Sequence, residues 1–531
     1  MPHEYRRNGW WRDHTFLDDL RRTAHAHPRK TAVAVRRDGH PTHALDYAEL
    51  AHLTERCAAA LTELGVHPGD TVAVQLTDRW ELPVIALACL RAGARICPLL
   101  PVYRRRELQT MLTLTEPRVL ITMAEHDGDP LAALATELAA AIPAIAHVAV
   151  ADGAPEGTLP FEDHFFATPW EERHDTTGRA LTADDPYLIL FTSGTTGEPK
   201  GVLHTPNTLY AAIRGEADVF ALDDTLVMTT TSAYTHYTGF AQGMLMPLML
   251  GGTMVFSDTH DGPAVLDLLA DHHVTFLYAA PHFVAGMLRT GHHRDLPALR
   301  HLVSGSAPIP PAFVDDVADR FGLRLHSLWG MSENGPVTIT RPADPPGWAA
   351  HSDGSPIPGM RLRIDPIPGQ PEGVGRLWVR GPAQCLGYYR RDHLYAAALD
   401  DGWFDTGDLA RPDGRDGIRI TGRAGDSILR KGWIVPVAEL EDLLDRHPHV
   451  REATVIGVPE GQGEDETICA VIAAATTLTL EDLRDHLRAA GMTTTYWPER
   501  LELLDTLPRT VTGKVRKTEL RQRLTTSPDG P

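Results

Sequence analysis

Apolar and polar positions change rhythm along this chain, and the change divides it. Tyr47 to Leu64 carries apolar residues at helical spacing and stops at Gly65. Thr71 to Leu76 is a short apolar strand, Leu82 to Leu90 is helical again, and Arg95 to Leu100 and Val119 to Thr122 read as strands. Such alternation predicts an α/β domain of mostly parallel sheets flanked by helices. Ala151 to Asp185, with frequent Pro, Gly and acidic residues, reads as loop. Near the C-terminus the rhythm becomes that of a small α+β module. Val437, Leu440, Leu443 and Leu444 form one helical face after Pro436, with Glu439, Glu441 and Asp442 in the first turn. Strands follow at Ala453 to Val458 and Thr467 to Ala473. A second helix starts after Thr479, which has Asp482 three residues on, and stops at Gly491, and a strand covers Arg500 to Leu504. The shift falls near Thr421 to Ser427, so the expected domains are residues 1–425 and 426–531.

Length supports that division, because 531 residues exceed what one hydrophobic core serves. A net charge of −20 disfavours nucleic acid as a partner. The five cysteines, Cys57, Cys89, Cys97, Cys385 and Cys469, are widely spaced and odd in number. That pattern fits a reducing cytoplasm rather than a disulfide framework or a zinc site. The N-terminus shows no signal-peptide pattern. The most apolar stretch, Leu82 to Val102, is broken by Arg91 and Arg95, so no membrane span is expected.

One segment carries clear chemistry. In Leu188-Ile-Leu-Phe-Thr-Ser-Gly-Thr-Thr-Gly-Glu-Pro-Lys200-Gly201 an apolar strand enters a loop of glycines and hydroxyls followed by a lysine. Glycines let backbone N–H groups turn around an anion, while hydroxyls and lysine add donors and charge. No Gly-Lys-Ser/Thr helix start is present, so this is not a Walker loop. Ser193-Gly-Thr-Thr-Gly-Glu-Pro-Lys-Gly resembles the signature of the adenylate-forming superfamily, which comprises acyl-CoA synthetases, peptide-synthetase adenylation domains and luciferases. Five further motifs follow in the family's order. They are Leu302-Val-Ser-Gly-Ser-Ala-Pro308, Trp329-Gly-Met-Ser-Glu-Asn334, Gly402-Trp-Phe-Asp-Thr-Gly-Asp408, Ile420-Thr-Gly-Arg-Ala-Gly-Asp426 and Leu507-Pro-Arg-Thr-Val-Thr-Gly-Lys514.

The resemblance implies ATP-dependent adenylation of a small acid, with magnesium, and a small mobile C-terminal domain. It places Thr192, Ser193, Gly194, Thr195, Thr196, Gly197 and Lys200 at the phosphates. Gly305, Ser306, Ala307, Trp329, Gly330, Met331 and Ser332 fall on the adenine side. Glu333 and Thr196 match the magnesium-linked positions, and Asp408 the acid that accepts both ribose hydroxyls. Arg423 matches an arginine that reaches ribose or phosphate, Lys514 the lysine bridging the attacking oxygen and the α-phosphate, and Asp426 the hinge. Glu333, Lys200, Arg423 and Lys514 are thus the catalytic candidates. By position, Tyr234, His236, Thr238, Gly239, Tyr278 and His282 line the acid pocket, with Tyr237 beside them. His236 either orients a carboxylate or packs in the core. Ser232-Ala-Tyr-Thr-His236 lacks the acid that α-amino acid domains keep here, which disfavours an α-amino acid. The pattern is most similar to ligases of cyclic or short-chain carboxylic acids.

The chain departs from its relatives around the thiol step. Leu429 and Ile434 stand in Leu429-Arg-Lys-Gly-Trp-Ile434 where polar residues are usual, and Thr493-Thr-Thr-Tyr-Trp497 replaces a lysine-bearing stretch. The leading expectation is an acid–thiol ligase using CoA or a carrier-protein phosphopantetheine. Two alternatives stand beside it. One is an adenylating enzyme of a natural-product pathway with a non-thiol acceptor, including nitrite activation for diazotisation of an aryl amine. The other is a non-catalytic nucleotide-binding regulator.

Overall fold

The computed structural model describes the chain apart from residues 1, 37–41, 193–199, 306–308, 310, 368–372, 424–427, 431–432, 436, 460–465, 475, 491, 493, 511–512 and 527–531. The chain forms two compact units. The larger comprises Met1–Ala350, Gly354–Met360 and Gly381–Ala397, and the smaller His351–Asp353, Arg361–Arg380 and Ala398–Pro531. The architecture is α/β, with a large N-terminal part and a smaller C-terminal part. The expected boundary at 425/426 falls inside the smaller unit, because strands from residues 361–380 and 399–423 cluster with the C-terminal residues.

Two sheets organise the larger unit. One runs, in spatial order, Ser355–Pro356, Gly335–Ile339, Leu325–Met331, His301–Gly305, Phe276–Tyr278, Val227–Thr230, Thr253–Ser257, Thr31–Arg36 and His43–Asp46. Its inner neighbours pair in parallel, and its outer pairs are antiparallel. The second runs Gly387–Tyr388, Lys200–His204, Leu188–Thr192, Arg95–Pro98, Thr71–Val74, Val119–Met123, His147–Ala151 and Leu159–Pro160. Only its pairs involving Lys200–His204 are antiparallel.

Local sequence accounts for many of these elements. Helix Tyr47–Glu63 begins at Asp46, whose side chain accepts from the Glu49 N–H while the Glu49 side chain accepts from the Asp46 N–H. Helix Glu81–Ala92 is buried on every face, which is why Leu82 to Leu90 reads as a continuous apolar run between Glu81 and Arg91. The segment Ala151 to Asp185 is more ordered than its composition suggests. It contains strand Leu159–Pro160, a π-helical turn Asp163–Ala167 and a 3-10 turn Trp170–Glu172. Phe161 and Phe165 are fully buried there, with ring centroids 5.3 Å apart. The two rings are four residues apart, a spacing that puts them on one side of a helical turn, but a single pair is too short a pattern to mark an element in the sequence.

In the smaller unit, strands Arg361–Pro366, Gly375–Arg380, Trp403–Pro412, Leu399–Asp400 and Ile418–Arg423 form an antiparallel sheet. A second sheet pairs Val450–Pro459 with Glu466–Ala474, and Glu466–Ala474 with Arg500–Leu504. Helices Val437–Asp445 and Leu480–Ala489 cover it, with Leu440, Leu444, Leu483 and Leu487 fully buried. Thr479 and Asp482 form the capping box that their spacing predicts. Among the described residues no helix is long and apolar enough to cross a membrane.

Candidate active site

Strand pairing brings the ends of the glycine-rich loop together. Thr192 and Lys200 are cross-strand partners, so residues 193–199 connect two antiparallel strands. The expected phosphate contacts Ser193, Gly194, Thr195, Thr196 and Gly197 lie outside the described residues. Lys200 projects over the ring of Tyr388, with its Nζ 5.2 Å from the centroid. The Tyr388 hydroxyl donates to Glu333 Oε1 at 2.8 Å. Both partners are buried, Tyr388 at 3 % and Glu333 at 8 % exposure. Burial first, and then the Glu333 charge, push the Tyr388 phenol far above its ordinary pKa, so it stays a donor. Lys200 and Glu333 are thus linked through a tyrosine that the sequence motifs do not mark.

The backbone around Glu333 is held as firmly. Its carbonyl accepts from the Cys385 N–H at 2.8 Å, and the Tyr389 N–H donates to the Gly201 carbonyl at 2.7 Å. These bonds stitch segment 385–389 to both the loop strand and the Glu333 turn. His204 adds a second tie. Its Nε2–H donates to the Ser332 carbonyl at 2.7 Å, with the Thr208 hydroxyl 2.9 Å from Nδ1. Burial lowers the His204 pKa to about 4, which keeps the ring neutral at neutral pH.

The adenine-side candidates lie on neighbouring strands. Gly305 ends strand His301–Gly305 in register with Leu328, which precedes Trp329. Ser306 and Ala307 lie outside the described residues. Trp329 and Met331 are half-buried and Gly330 is exposed. A side chain on Gly330 would collide with the Gly335 carbonyl, so close strand approach demands glycine there.

The expected acid-pocket residues divide. Tyr234 is fully buried, its hydroxyl donating to the Val255 carbonyl at 3.0 Å and its ring 3.8 Å from that of Phe256. It is a packing residue of the sheet. Its backbone N–H donates to Asp78 Oδ1 at 2.8 Å, and burial raises the Asp78 carboxyl to about 7. His236 is half-buried, Thr238 is buried, and Gly239 sits where a Cβ would be 2.5 Å from the Tyr234 Cα. Thr238 and Gly239 start a π-helical run, Thr238–Leu245. Tyr278 is buried at the end of strand Phe276–Tyr278, and His282 is exposed, its ring 4.1 Å from that of Phe283.

In the smaller unit, Asp408 and Arg423 are cross-strand partners joined by an ion pair, Nε to Oδ1 at 2.8 Å. Asp408 is buried, and its N–H donates to Thr406 Oγ1 at 3.0 Å. Lys514 is exposed, and the Thr510 N–H donates to its carbonyl at 2.7 Å. Asp426 lies outside the described residues. Magnesium is usually held by one or two carboxylates plus substrate phosphates. Glu333, a buried carboxylate, is of the donor type that mode uses.

A family model described as AMP-binding enzyme matches residues 20–389, and one described as AMP-binding enzyme C-terminal domain matches residues 439–514. The chain belongs to the AMP-binding enzyme family. Its relatives place this AMP-binding enzyme among the AMP-forming acid–thiol ligases, and the regulator reading falls. It is 30% identical to medium-chain fatty-acid–CoA ligase of Escherichia coli over 98% of this chain and 92% of that protein. It is 32% identical to a salicylyl-CoA synthase / salicylate adenylyltransferase of a Streptomyces species, over 97% and 95%. The crystal structure of ATP-bound MatB from Rhodopseudomonas palustris aligns with TM-score 0.83 and 27% identity, covering 96% of this chain and 99% of that one. Tyr388 and His204 are the residues that sequence reading missed in this AMP-binding enzyme. Neither lies in one of the six motifs, and no periodic pattern marks them.

Proposed function

We propose that this enzyme activates a small carboxylic acid of ring or short-chain type as its acyl-AMP and then passes the acyl group to a phosphopantetheine-type thiol. The acid's carboxylate oxygen attacks the α-phosphorus of ATP, the bond to the β-phosphate oxygen breaks, and pyrophosphate leaves. The thiol sulfur then attacks the acyl carbon, gives up its proton and displaces AMP. The observation that carries this reading is the Lys200–Tyr388–Glu333 assembly beside the glycine-rich loop, a cation and a carboxylate oriented by one buried phenol. Phosphoryl chemistry of this kind asks the protein mainly for positioning and charge stabilisation. Glu333, with Thr196, would hold magnesium, which supplies neutralisation of phosphate charge. Asp408 would accept the ribose hydroxyls through its two carboxylate oxygens, with Arg423 as its partner. Lys514 would stabilise the developing charge at the α-phosphate, and Asp426 would be the hinge that presents it.

The acceptor is narrowed by Leu429 and Ile434, cross-strand partners in a short hairpin. Aliphatic residues there, and the absence of lysines at 493–497, remove charge-assisted contacts that CoA phosphates would use. A carrier-protein phosphopantetheine does not need them, so free CoA is expected to be the weaker acceptor. The test is pyrophosphate release over a panel of acids, followed by product mass spectrometry with CoA, with a carrier protein, and with nitrite plus an aryl amine. Acid-dependent pyrophosphate release and an acyl-thioester product are expected. Absence of release with every acid would overturn the activation reading, and rapid saturable acyl-CoA formation at micromolar CoA would overturn the acceptor preference.

A further inference from the structure

Helix Pro206–Phe220 lies on the face of the nine-stranded sheet that carries Tyr278. Phe220 anchors it, with ring centroids 5.3 Å from Phe276 and 5.0 Å from His326. Tyr278 follows Phe276 by two residues on the same strand and therefore shares that face. Its hydroxyl stands 2.8 Å from where a Cβ on Gly305 would be, so it reaches across to the strand end that opens the adenine-side loop. Glu216, one turn before Phe220 on the helix, lies among these groups. It is completely buried, and its charge is felt by the phenols of both Tyr237 and Tyr278.

Half of the Glu216 carboxyl is accounted for. Oε2 accepts from Gln242 Nε2, on the π-helical run, at 2.7 Å. Oε1 is buried and has no hydrogen-bond partner among the described residues, and the same holds for the Tyr237 hydroxyl. Burial raises the Glu216 carboxyl to about 7, opposed by the Gln242 bond. Buried polar atoms are normally paired, because leaving one open forfeits its bonds to water. Packing alone gives no reason for an acid here, since Gln242 could bond an amide equally well. Two open polar atoms beside expected pocket residues are what a site that reads a polar group requires.

We propose that Glu216, together with Tyr237, recognises a hydroxyl or amino substituent on the acyl part of the acid. The substrate class is then a polar-substituted acid rather than a plain hydrocarbon acid. This rests on the acid-activating reading above and deepens it. A substituent of this kind fills the open Oε1 and the open phenol, and an unsubstituted analogue leaves both unpaired. Glu216 takes no part in bond making and acts through the placement of the acid.

The test is ATP–pyrophosphate exchange with matched acids: benzoate against its 2-, 3- and 4-hydroxy and 2-amino derivatives, and hexanoate against its hydroxy derivatives. It is run on the wild type, Glu216→Leu, Glu216→Gln and Tyr237→Phe, with thermal melting on each. In the wild type, at least one substituted acid should exceed its parent in kcat/KM by about tenfold to a hundredfold. In Glu216→Leu that ratio should fall towards one through a raised KM for the substituted acid, with the KM for ATP unchanged. Glu216→Gln, which keeps an acceptor and the volume, should lose part of the preference. Tyr237→Phe should also lose part, and it decides the matter if the leucine variant does not fold. A wild type that treats every matched pair alike overturns this inference and leaves the activation reading standing. Equal losses on both members of a pair in the variants overturn it too. No exchange with any acid in the wild type overturns both.

Discussion

Replacing Tyr388 with phenylalanine removes one atom and isolates one interaction. The ring stays, so its contact with Lys200, at 5.2 Å, and its packing against Tyr395 are retained. What disappears is the 2.8 Å hydrogen bond to Glu333 Oε1, made where both residues are buried. A hydrogen bond to a charged group contributes about 1.5–3 kcal/mol, and its loss leaves a buried carboxylate oxygen short of a donor. If the bond positions Glu333 for the reaction, kcat/KM for ATP should fall about tenfold to 150-fold, since 1.36 kcal/mol is one decade in rate. Because Glu333 is the expected magnesium-linked carboxylate, the magnesium concentration giving half-maximal rate should rise as well. ATP–pyrophosphate exchange with a saturating acid, titrated with magnesium, reads both quantities, and thermal melting controls for the fold. A stable Tyr388→Phe protein whose exchange rate and magnesium dependence stay within twofold of wild type would refute the positioning role.

Lys514→Ala should lower adenylation by about 10²-fold or more while leaving the melting temperature unchanged, because the side chain is exposed in the structure and acts mainly on transition-state charge; unchanged acyl-AMP formation would remove it from the mechanism. Asp426→Pro, which restricts φ to about −65°, should separate adenylation from thioester formation by trapping one conformer; parallel survival or loss of both half-reactions would count against the hinge. Two pairs of buried groups should act on stability with opposite signs between about pH 4 and 7. His204 and His326 are held neutral with pKa values of about 4, below the ordinary 6.5, so their contribution is present above pH 6.5 and lost as pH falls towards 4. For His204 that shift corresponds to about 3 kcal/mol as an order of magnitude. Asp78 and Glu216 have the opposite sign, their carboxyls being raised to about 7, so their contribution is present at acid pH and lost as pH rises through 7. Because the two pairs oppose each other between about pH 4.5 and 6.5, the check is urea unfolding of the Asp78→Asn, Glu216→Gln double variant, which removes the carboxyl part; a flat profile of that variant between pH 6.5 and 4.5 would contradict the histidine part.

What this sequence determined by itself was whatever depends on neighbours along the chain. Helix Tyr47–Glu63 follows from its spacing and from the Asp46–Glu49 box, and helix Leu480–Ala489 from Thr479 and Asp482. The six motifs were legible for the same reason, because a loop that wraps an anion keeps its glycines and hydroxyls contiguous. Asp408 and Arg423, in two separate motifs, meet across a strand pair as an ion pair.

Tertiary structure decided which distant segments share a strand edge or a buried volume. Thr31–Arg36 pairs with Thr253–Ser257, and Gly387–Tyr388 with Lys200–His204, and no local pattern announces either partner. Tyr388 reached Glu333 only through that second pairing, and His204 reached Ser332 across the same region. Tyr234 shows the converse. Its motif position suggested a pocket wall, yet burial against Phe256 and the Val255 carbonyl uses the side chain in packing. Glu216 is the clearest case, since a glutamate in a helix reads as solvated until the fold sets it beside Gln242 and two tyrosines. Propensity and capping act within a few residues, whereas burial and hydrogen-bond satisfaction are properties of the packed interior, and only the packed interior specifies which side chains lose water together.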